Sequence, residues 1–146
     1  GFQPVSAAHM GCIIALDVGT RTIGIARAQA THGIATPHCT LSRQGVKKDT
    51  AKIVHIIEEL RVETVVVGLP YKLDDTEGRS ARLARQIGTA VEEATGIDVH
   101  YQDERYSTVV AEERLIEGGY NAQQRKGIID QAAAAVILSD WLETQR

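Results

Sequence analysis

The chain has 146 residues, of which 43% are apolar and 24% are charged, values typical of a globular domain with an ordinary core. No apolar run approaches the roughly 18 residues that a membrane-spanning helix needs, so no membrane partner is expected. The net charge of −3 argues against a protein that coats nucleic acid nonspecifically, but it allows a local basic groove.

The first ten residues and the two cysteines indicate the expected domain organisation and location of the protein. Residues 1–10, GFQPVSAAHM, are predicted to be a vector-derived expression leader with Met10 as the native start, and residues 11–146 to form a single domain. Cys12 and Cys39 form no CxxC pair, so both are expected to be free buried thiols. This cysteine usage favours a reducing, cytoplasmic location.

Three strands are predicted in the first part of the chain. Residues 12–17 are an apolar run that ends at Asp17, which is typical of a central strand buried on both faces. A second strand follows at 22–29. A third lies within 33–41, where Gly33 and Pro37 mark turns or a sheet edge. The short connections between them favour antiparallel pairing.

Helices and strands alternate in the rest of the chain. Apolar spacing predicts helices within 49–61, over 78–95, from a Ser107 or Thr108 cap to about 117, and over 128–143, with strands at 63–70 and 97–102. The order βββ-α-β-α-β-α-α predicts an α/β fold, with a five-stranded mixed sheet flanked by helices.

Asp17 has three possible roles, as a turn cap, part of a nucleotide-phosphate cradle or a metal ligand. Turn chemistry is the commonest role for an Asp beside a glycine. However, an unpaired carboxylate in a central strand would be costly. Gly19, two residues later, would allow a ligand or another backbone to approach closely.

Two other acids are candidates to join Asp17. Glu104 follows the last predicted strand, and Asp130 is predicted to open the last helix, just before four alanines that would let this helix lie close to the sheet. Three converging carboxylates repel one another, and a divalent cation removes that conflict. Oxygen ligands suit Mg²⁺ or Mn²⁺, which support phosphodiester cleavage. The three acids therefore predict a nuclease.

Glu104 is the weakest member of this set. Its strand is predicted to lie two positions from the first, roughly 10 Å across the sheet, so the turn after it must fold inward. Asp103 could replace it, and so could the acids of the polar loop, Asp74, Asp75 and Glu77.

Basic residues beside the acids are candidate phosphate contacts. Arg21 lies four residues after Asp17, Arg105 directly follows Glu104, and Lys126 precedes Asp130. Arg79, Arg82 and Arg85 recur along the second predicted helix, where solvated charges are the ordinary interpretation.

The motifs together resemble the YqgF/RuvX family of the ribonuclease H-like superfamily. The matching segments are LDVGTRTIGIA (16–26), VVGLP with DDTEG (66–78), DERYST (103–108) and DQAAAAVIL (130–138). The resemblance covers residues 11–143. It implies a ribonuclease H-like fold and a nuclease that matures the 5′ end of 16S rRNA, or a Holliday junction resolvase. By motif, Asp17, Glu104 and Asp130 would be the metal-binding catalytic acids.

The sequence departs from the family pattern at two positions. The family usually has a second basic residue where Thr22 follows Arg21, and usually has glycine at Asp75. The first departure removes one candidate phosphate contact, and the second affects the loop after the fourth strand. Neither changes the three carboxylates.

Other functions are compatible with parts of the sequence. The DVGT segment also resembles the phosphate turn of sugar kinases and actin-like ATPases, but those proteins need two such domains. A non-catalytic ribosome-assembly module would keep the fold without cleavage. Metal-ion chemistry serves RNA and four-way DNA alike, and a symmetric resolvase would be a homodimer where a processing nuclease could be a monomer.

Overall fold

A computed structural model describes residues 11–29, 33–70, 78–104 and 106–145. Within these ranges the elements follow the predicted βββ-α-β-α-β-α-α order. They are β1 (Cys12–Val18), β2 (Thr22–Gln29), β3 (Thr36–Ser42), α1 (Val46–Leu60), β4 (Val62–Leu69), α2 (Arg79–Thr95), β5 (Val99–Asp103), α3 (Ser107–Glu117) and α4 (Ala122–Thr144).

The strands form a mixed five-stranded sheet in the order β3-β2-β1-β4-β5. Strand β2 is antiparallel to both β1 and β3, whereas β1, β4 and β5 run parallel. The carboxyl ends of β1, β3, β4 and β5 therefore share one edge of the sheet, called here the carboxyl edge. Pro37 lies in the edge strand, where the β2–β3 register shifts and a missing N–H is tolerated.

Strand β1 is buried on both faces, as its apolar run predicts. Ile14 and Leu16 pack with Ile53 of α1 and Ile87 of α2, while Ile13 packs on the opposite face with α4 residues. Helices α1 and α2 thus cover one face of the sheet, α4 covers the other, and α3 packs on α4. Asp17 follows the alternation and belongs to the α4 face.

Helix α4 begins at Ala122, six residues before the predicted start. Asn121 caps it, because its side chain accepts a hydrogen bond from the Gln124 N–H (2.9 Å) while the Asn121 N–H donates to the Gln124 side chain (2.8 Å). This capping box satisfies two otherwise free N–H groups. The prediction that Asp130 opens the helix is wrong, since Asp130 lies in its third turn, beyond the reach of the helix dipole.

The predicted cap of α3 is also wrong. Tyr106 is the N-cap residue, and Ser107 is the first helical residue. The Ser107 hydroxyl serves a different purpose, described below. Cys12 and Cys39 are free thiols, the first buried and the second half-buried. None of the helices in the described part of the chain is long and apolar enough to cross a membrane.

Candidate active site

Asp17 is the second-last residue of β1, at the carboxyl edge of the sheet. It pairs with Gly24 of β2 in the antiparallel ladder and is half-buried. Gly24 matters because a Cβ atom there would overlap the carbonyl group of Asp130. The glycine lets α4 lie directly on β2, which brings Asp130 over the strand pair that carries Asp17.

Asp130 is fixed in place by β2. The Thr22 hydroxyl, at the start of β2, donates a hydrogen bond of 2.7 Å to the Asp130 Oδ2 atom. The alanines after Asp130 contribute as predicted, because Ala132, Ala133 and Ala134 are buried. Small side chains on α4 and a glycine on β2 together allow this close approach.

Glu104 directly follows β5 and turns onto the α4 face. Its N–H donates to the Leu69 carbonyl (3.3 Å), and its side chain approaches Gly68 of β4. The Ser107 hydroxyl lies 2.5 Å from the Glu104 Oε2 atom and 3.0 Å from the Glu104 carbonyl oxygen, and it holds this carboxylate at the start of α3. The inward turn that the sequence required is therefore present.

Glu104 and Asp130 act electrostatically on Asp17. Burial, then the negative charges of Glu104 and Asp130, raise the pKa of Asp17 to about 7. Burial also raises the pKa of Glu104, the hydrogen bond from Ser107 lowers it, and the charge of Asp103 raises it. A carboxylate with so high a pKa is held among negative charges with little water.

The alternatives to Glu104 differ in position. Asp103 is exposed and lies at the last position of β5, where strand alternation places it with Tyr101 on the α1–α2 face. Asp74, Asp75 and Glu77 lie outside the described residues. Of the acids that the structure describes near β5, Glu104 is the one coupled to Asp17.

The predicted phosphate contacts lie around the same edge. Arg21 is exposed in the β1–β2 turn, and Lys126 is exposed on α4, one helical turn before Asp130. Gly19 closes the turn, since its N–H donates to the Thr22 carbonyl (2.8 Å). Arg105 lies outside the described residues. Beside Glu104, a recess of about 450 Å³ is lined by Tyr106, Ser107 and Asp140 among others.

Sequence reasoning missed an ion pair that supports this turn. Arg43 donates to the buried Asp49 carboxylate (2.7 Å) and to the Gly19 carbonyl (2.9 Å), and the Arg43 N–H bonds the Arg21 carbonyl (2.8 Å). Asp49 also accepts from the Gln44 N–H (2.8 Å). An Asp in the first turn of a helix is common, so its spacing from Arg43 carried no distinctive signal.

The chain matches the RuvX family, described as "Holliday junction resolvase", over residues 11–144. It is 37% identical over 144 residues to a Picosynechococcus protein named "Putative pre-16S rRNA nuclease", covering 99% of this chain and 96% of the relative. A protein of the same name from Anaeromyxobacter is 42% identical over 130 residues, with coverages of 89% and 95%.

Two solved structures share the fold. T. thermophilus RuvC in complex with a Holliday junction substrate has a TM-score of 0.55 at 18% identity, covering 92% of this chain and 95% of RuvC. The fowlpox virus Holliday junction resolvase has a TM-score of 0.59 at 10% identity, with coverages of 92% and 99%. The predicted ribonuclease H-like sheet is therefore confirmed, and the chain belongs to the RuvX family of nucleases.

Proposed function

We propose that this chain is a divalent-metal-dependent endonuclease that processes the 5′ end of precursor 16S rRNA. The observation that supports the proposal is the placement of Asp17, Glu104 and Asp130 around the carboxyl edge, where burial and then the charges of Glu104 and Asp130 raise the pKa of Asp17. The relatives named for pre-16S rRNA cleavage support the choice of substrate.

The residues present fit a hard divalent cation by their chemistry. All three candidate ligands are carboxylates, and two of them are held by hydroxyl groups, Asp130 by Thr22 and Glu104 by Ser107. Among the described side chains, no three Asp, Glu, His or Cys groups are drawn together into a preformed metal shell. The coupling of Asp17 to its two neighbours is nevertheless the repulsion that a cation would relieve.

Asp17, Glu104 and Asp130 would hold Mg²⁺ or Mn²⁺. When bound, such ions activate water and stabilise the leaving oxygen in phosphodiester cleavage. The chain's own contribution is to keep the carboxylates partly desolvated and oriented. Thr22 and Ser107 act as positioning residues, because each holds one oxygen of a carboxylate and leaves the other oxygen available.

The basic residues would bind the substrate backbone around this centre. Arg21 is exposed in the turn directly after β1, Lys126 is exposed one helical turn from Asp130, and Arg105 follows Glu104 in the sequence. Gly19 would give the substrate room beside Arg21. Arg21 and Lys126 lie near the carboxyl edge although the chain is acidic overall, and phosphate affinity depends on charges near the contact.

A four-way DNA junction is the second candidate substrate. The description of the matching family as a Holliday junction resolvase favours it. Cutting two strands symmetrically would require a homodimer, whereas processing one RNA end would suit a monomer. The measured mass in solution would therefore help to separate the two functions.

A side-by-side cleavage assay tests the proposal. Wild-type protein with Mn²⁺ or Mg²⁺ is expected to cut a precursor 16S fragment faster than a synthetic four-way junction, and Asp17→Asn is expected to abolish cutting of both. Cleavage by Asp17→Asn at the wild-type rate would reject the nuclease assignment. Binding of precursor RNA by wild type with no cleavage under any metal condition would favour the ribosome-assembly module instead.

A further inference from the structure

A groove runs between α1 and α2, on the face of the sheet opposite α4. It has a volume of about 600 Å³ and is lined by Val46, at the start of α1, and by α2 residues that include Arg82, Arg85, Gln86 and Thr89. Both helices begin at the carboxyl edge, because α1 follows β3 and α2 follows β4, and both of these strands run parallel to β1. The end of the groove lined by Val46 and Arg82 therefore lies toward the edge that carries the candidate active site.

The charge of the groove is polarised along α2. Arg82, Gln86, Thr89 and Glu93 lie at helical spacings of three and four, so they form one stripe, and Arg79 extends this stripe by one turn toward the carboxyl edge. The positive residues stand at the end near the active site, and the acidic Glu93 stands at the far end.

Helix α1 adds a further positive charge to the rim. Lys47 directly follows Val46, the α1 residue that lines the groove, and lies in the first turn of α1. Lys47, Arg82 and Arg85 are all exposed.

Tyr101 of β5 forms a support beneath this groove. The Arg85 guanidinium lies 5.0 Å from the centroid of the Tyr101 ring, within range of a cation–π contact. Gly88 permits this arrangement, because a Cβ atom there would overlap the Tyr101 hydroxyl. Arg85 is thus held over an aromatic ring and loses less freedom on binding a phosphate than a free surface arginine would.

We infer that Lys47, Arg82 and Arg85 form a second phosphate-binding surface, which holds the backbone of the substrate as it leaves the active site. This inference rests on the proposed nuclease function for the identity of the substrate. The ligand chemistry is a phosphodiester backbone, because the exposed charges that define this surface are the cations Lys47, Arg82 and Arg85, and contacts to phosphate carry no base information. The surface extends the binding site beyond the cleavage point, so it discriminates substrates by length.

The test is binding measured by fluorescence anisotropy over a salt series, without divalent cations so that nothing is cut. The probes are an RNA stem of about one helical turn, an RNA stem of about three turns, and a DNA duplex of the longer length. Lys47→Gln/Arg82→Gln/Arg85→Gln is expected to weaken binding of the long RNA by about 10- to 100-fold at low salt. The slope of log affinity against log salt should fall by about two to three. Binding of the short stem should change less than about threefold.

The matched control removes the same net charge from exposed positions elsewhere, as Lys52→Gln/Arg61→Gln/Arg114→Gln. It should leave the salt slope for the long RNA within about one of wild type. The single variants Lys47→Gln and Arg82→Gln should each lower the slope by about one, which separates lost contacts from misfolding of the triple variant.

The outcomes distinguish this inference from the nuclease function. The inference would be overturned by an unchanged salt slope in the groove variant or by an equal loss of slope in the control variant. It would also be overturned if the wild type bound neither long RNA nor long DNA. Loss confined to RNA identifies RNA as the source of the phosphates, and loss confined to DNA identifies DNA. If wild type never cleaves but the groove variant loses binding as expected, the proposed function fails while the groove assignment stands.

Discussion

Gly24 of β2 lies directly beneath the main chain of Asp130 in α4. A Cβ atom at Gly24 would overlap the Asp130 carbonyl carbon and oxygen, which belong to backbone and cannot rotate away. Because Gly24 also pairs with Asp17 in the sheet, this one contact sets how closely two of the candidate metal ligands approach.

Gly24→Ala is therefore expected to displace α4 from the sheet. Overpacking of a close contact costs about 1–3 kcal/mol of unfolding free energy, and backbone overlap belongs at the upper end of that range. Cleavage should fall more steeply than stability, by about 100-fold, because a shift of about 1 Å at a catalytic group has that effect. Urea denaturation and initial cleavage rates measure the two quantities.

Gly127→Ala is the control in the same helix. Gly127 is exposed, and an added Cβ there would meet no atom within 4 Å. Replacing a helical glycine with alanine is expected to stabilise the protein by about 0.5–1 kcal/mol and to leave cleavage unchanged. A Gly24→Ala protein that cleaves as fast as Gly127→Ala would show that the close packing does not position Asp130.

The Thr22 hydroxyl is the second restraint on Asp130. Thr22→Val preserves the shape of the side chain but removes the 2.7 Å hydrogen bond, so we expect a loss of about 1–2 kcal/mol in stability. Cleavage should fall about tenfold, with a higher metal concentration needed for half-maximal rate. Thr22→Ser retains the hydroxyl and should recover most of the rate. Equal cleavage rates for Thr22→Val and Thr22→Ser would exclude a role of the Thr22 hydroxyl in positioning Asp130.

The central position of β1 in the sheet could be predicted from the sequence of the strand itself. An unbroken apolar run indicates a strand buried on both faces, and the parallel order that follows from the βαβ units brings Asp17 and Glu104 to one edge. The alanines of α4 correctly indicated close packing. Placing Asp130 at the start of that helix was wrong, because Asn121 and Gln124 form the cap and the helix begins at Ala122.

Side-chain partners were harder to predict, since they depend on tertiary contacts. Ser107 looked like a helix cap, but the turn after β5 directs its hydroxyl to Glu104 instead. Nothing in the local sequence indicates that Arg43 reaches both Gly19 and Asp49. Such contacts form only when β3 and the β1–β2 turn are brought together in the sheet.

The buried ion pair of Arg43 and Asp49 gives a third prediction. The Asp49 side chain is fully buried and that of Arg43 is 11% exposed, so removing one partner leaves a charge without compensation. Asp49→Ala should cost about 3–5 kcal/mol, and Arg43→Ala a similar amount. The double variant Arg43→Met/Asp49→Leu should cost clearly less than the sum of the two. Additive losses in urea denaturation would contradict strong coupling of the pair.

Asp17 gives a prediction on pH. Its pKa is raised to about 7 in the folded protein, while an unfolded chain releases that proton near 3.8. Between these values the folded state binds more protons than the unfolded state, so the free energy of unfolding falls as pH rises from about 4 to about 7 and then levels off. An asparagine at this position has no charge to bury, so its contribution to the free energy of unfolding does not change over this pH range.

Asp17→Asn should therefore be more stable than wild type in the presence of EDTA. The difference in melting temperature should be near zero at pH 4, grow as the pH rises and reach about 8–16 °C at pH 8, corresponding to about 4 kcal/mol. Adding Mn²⁺ at pH 8 should raise the melting temperature of wild type but not of Asp17→Asn, since a bound cation offsets the repulsion among the three carboxylates. A pH-independent difference between the two proteins would mean that the Asp17 carboxylate is not destabilised in the fold. An equal shift of both proteins by Mn²⁺ would mean that the cation binds elsewhere.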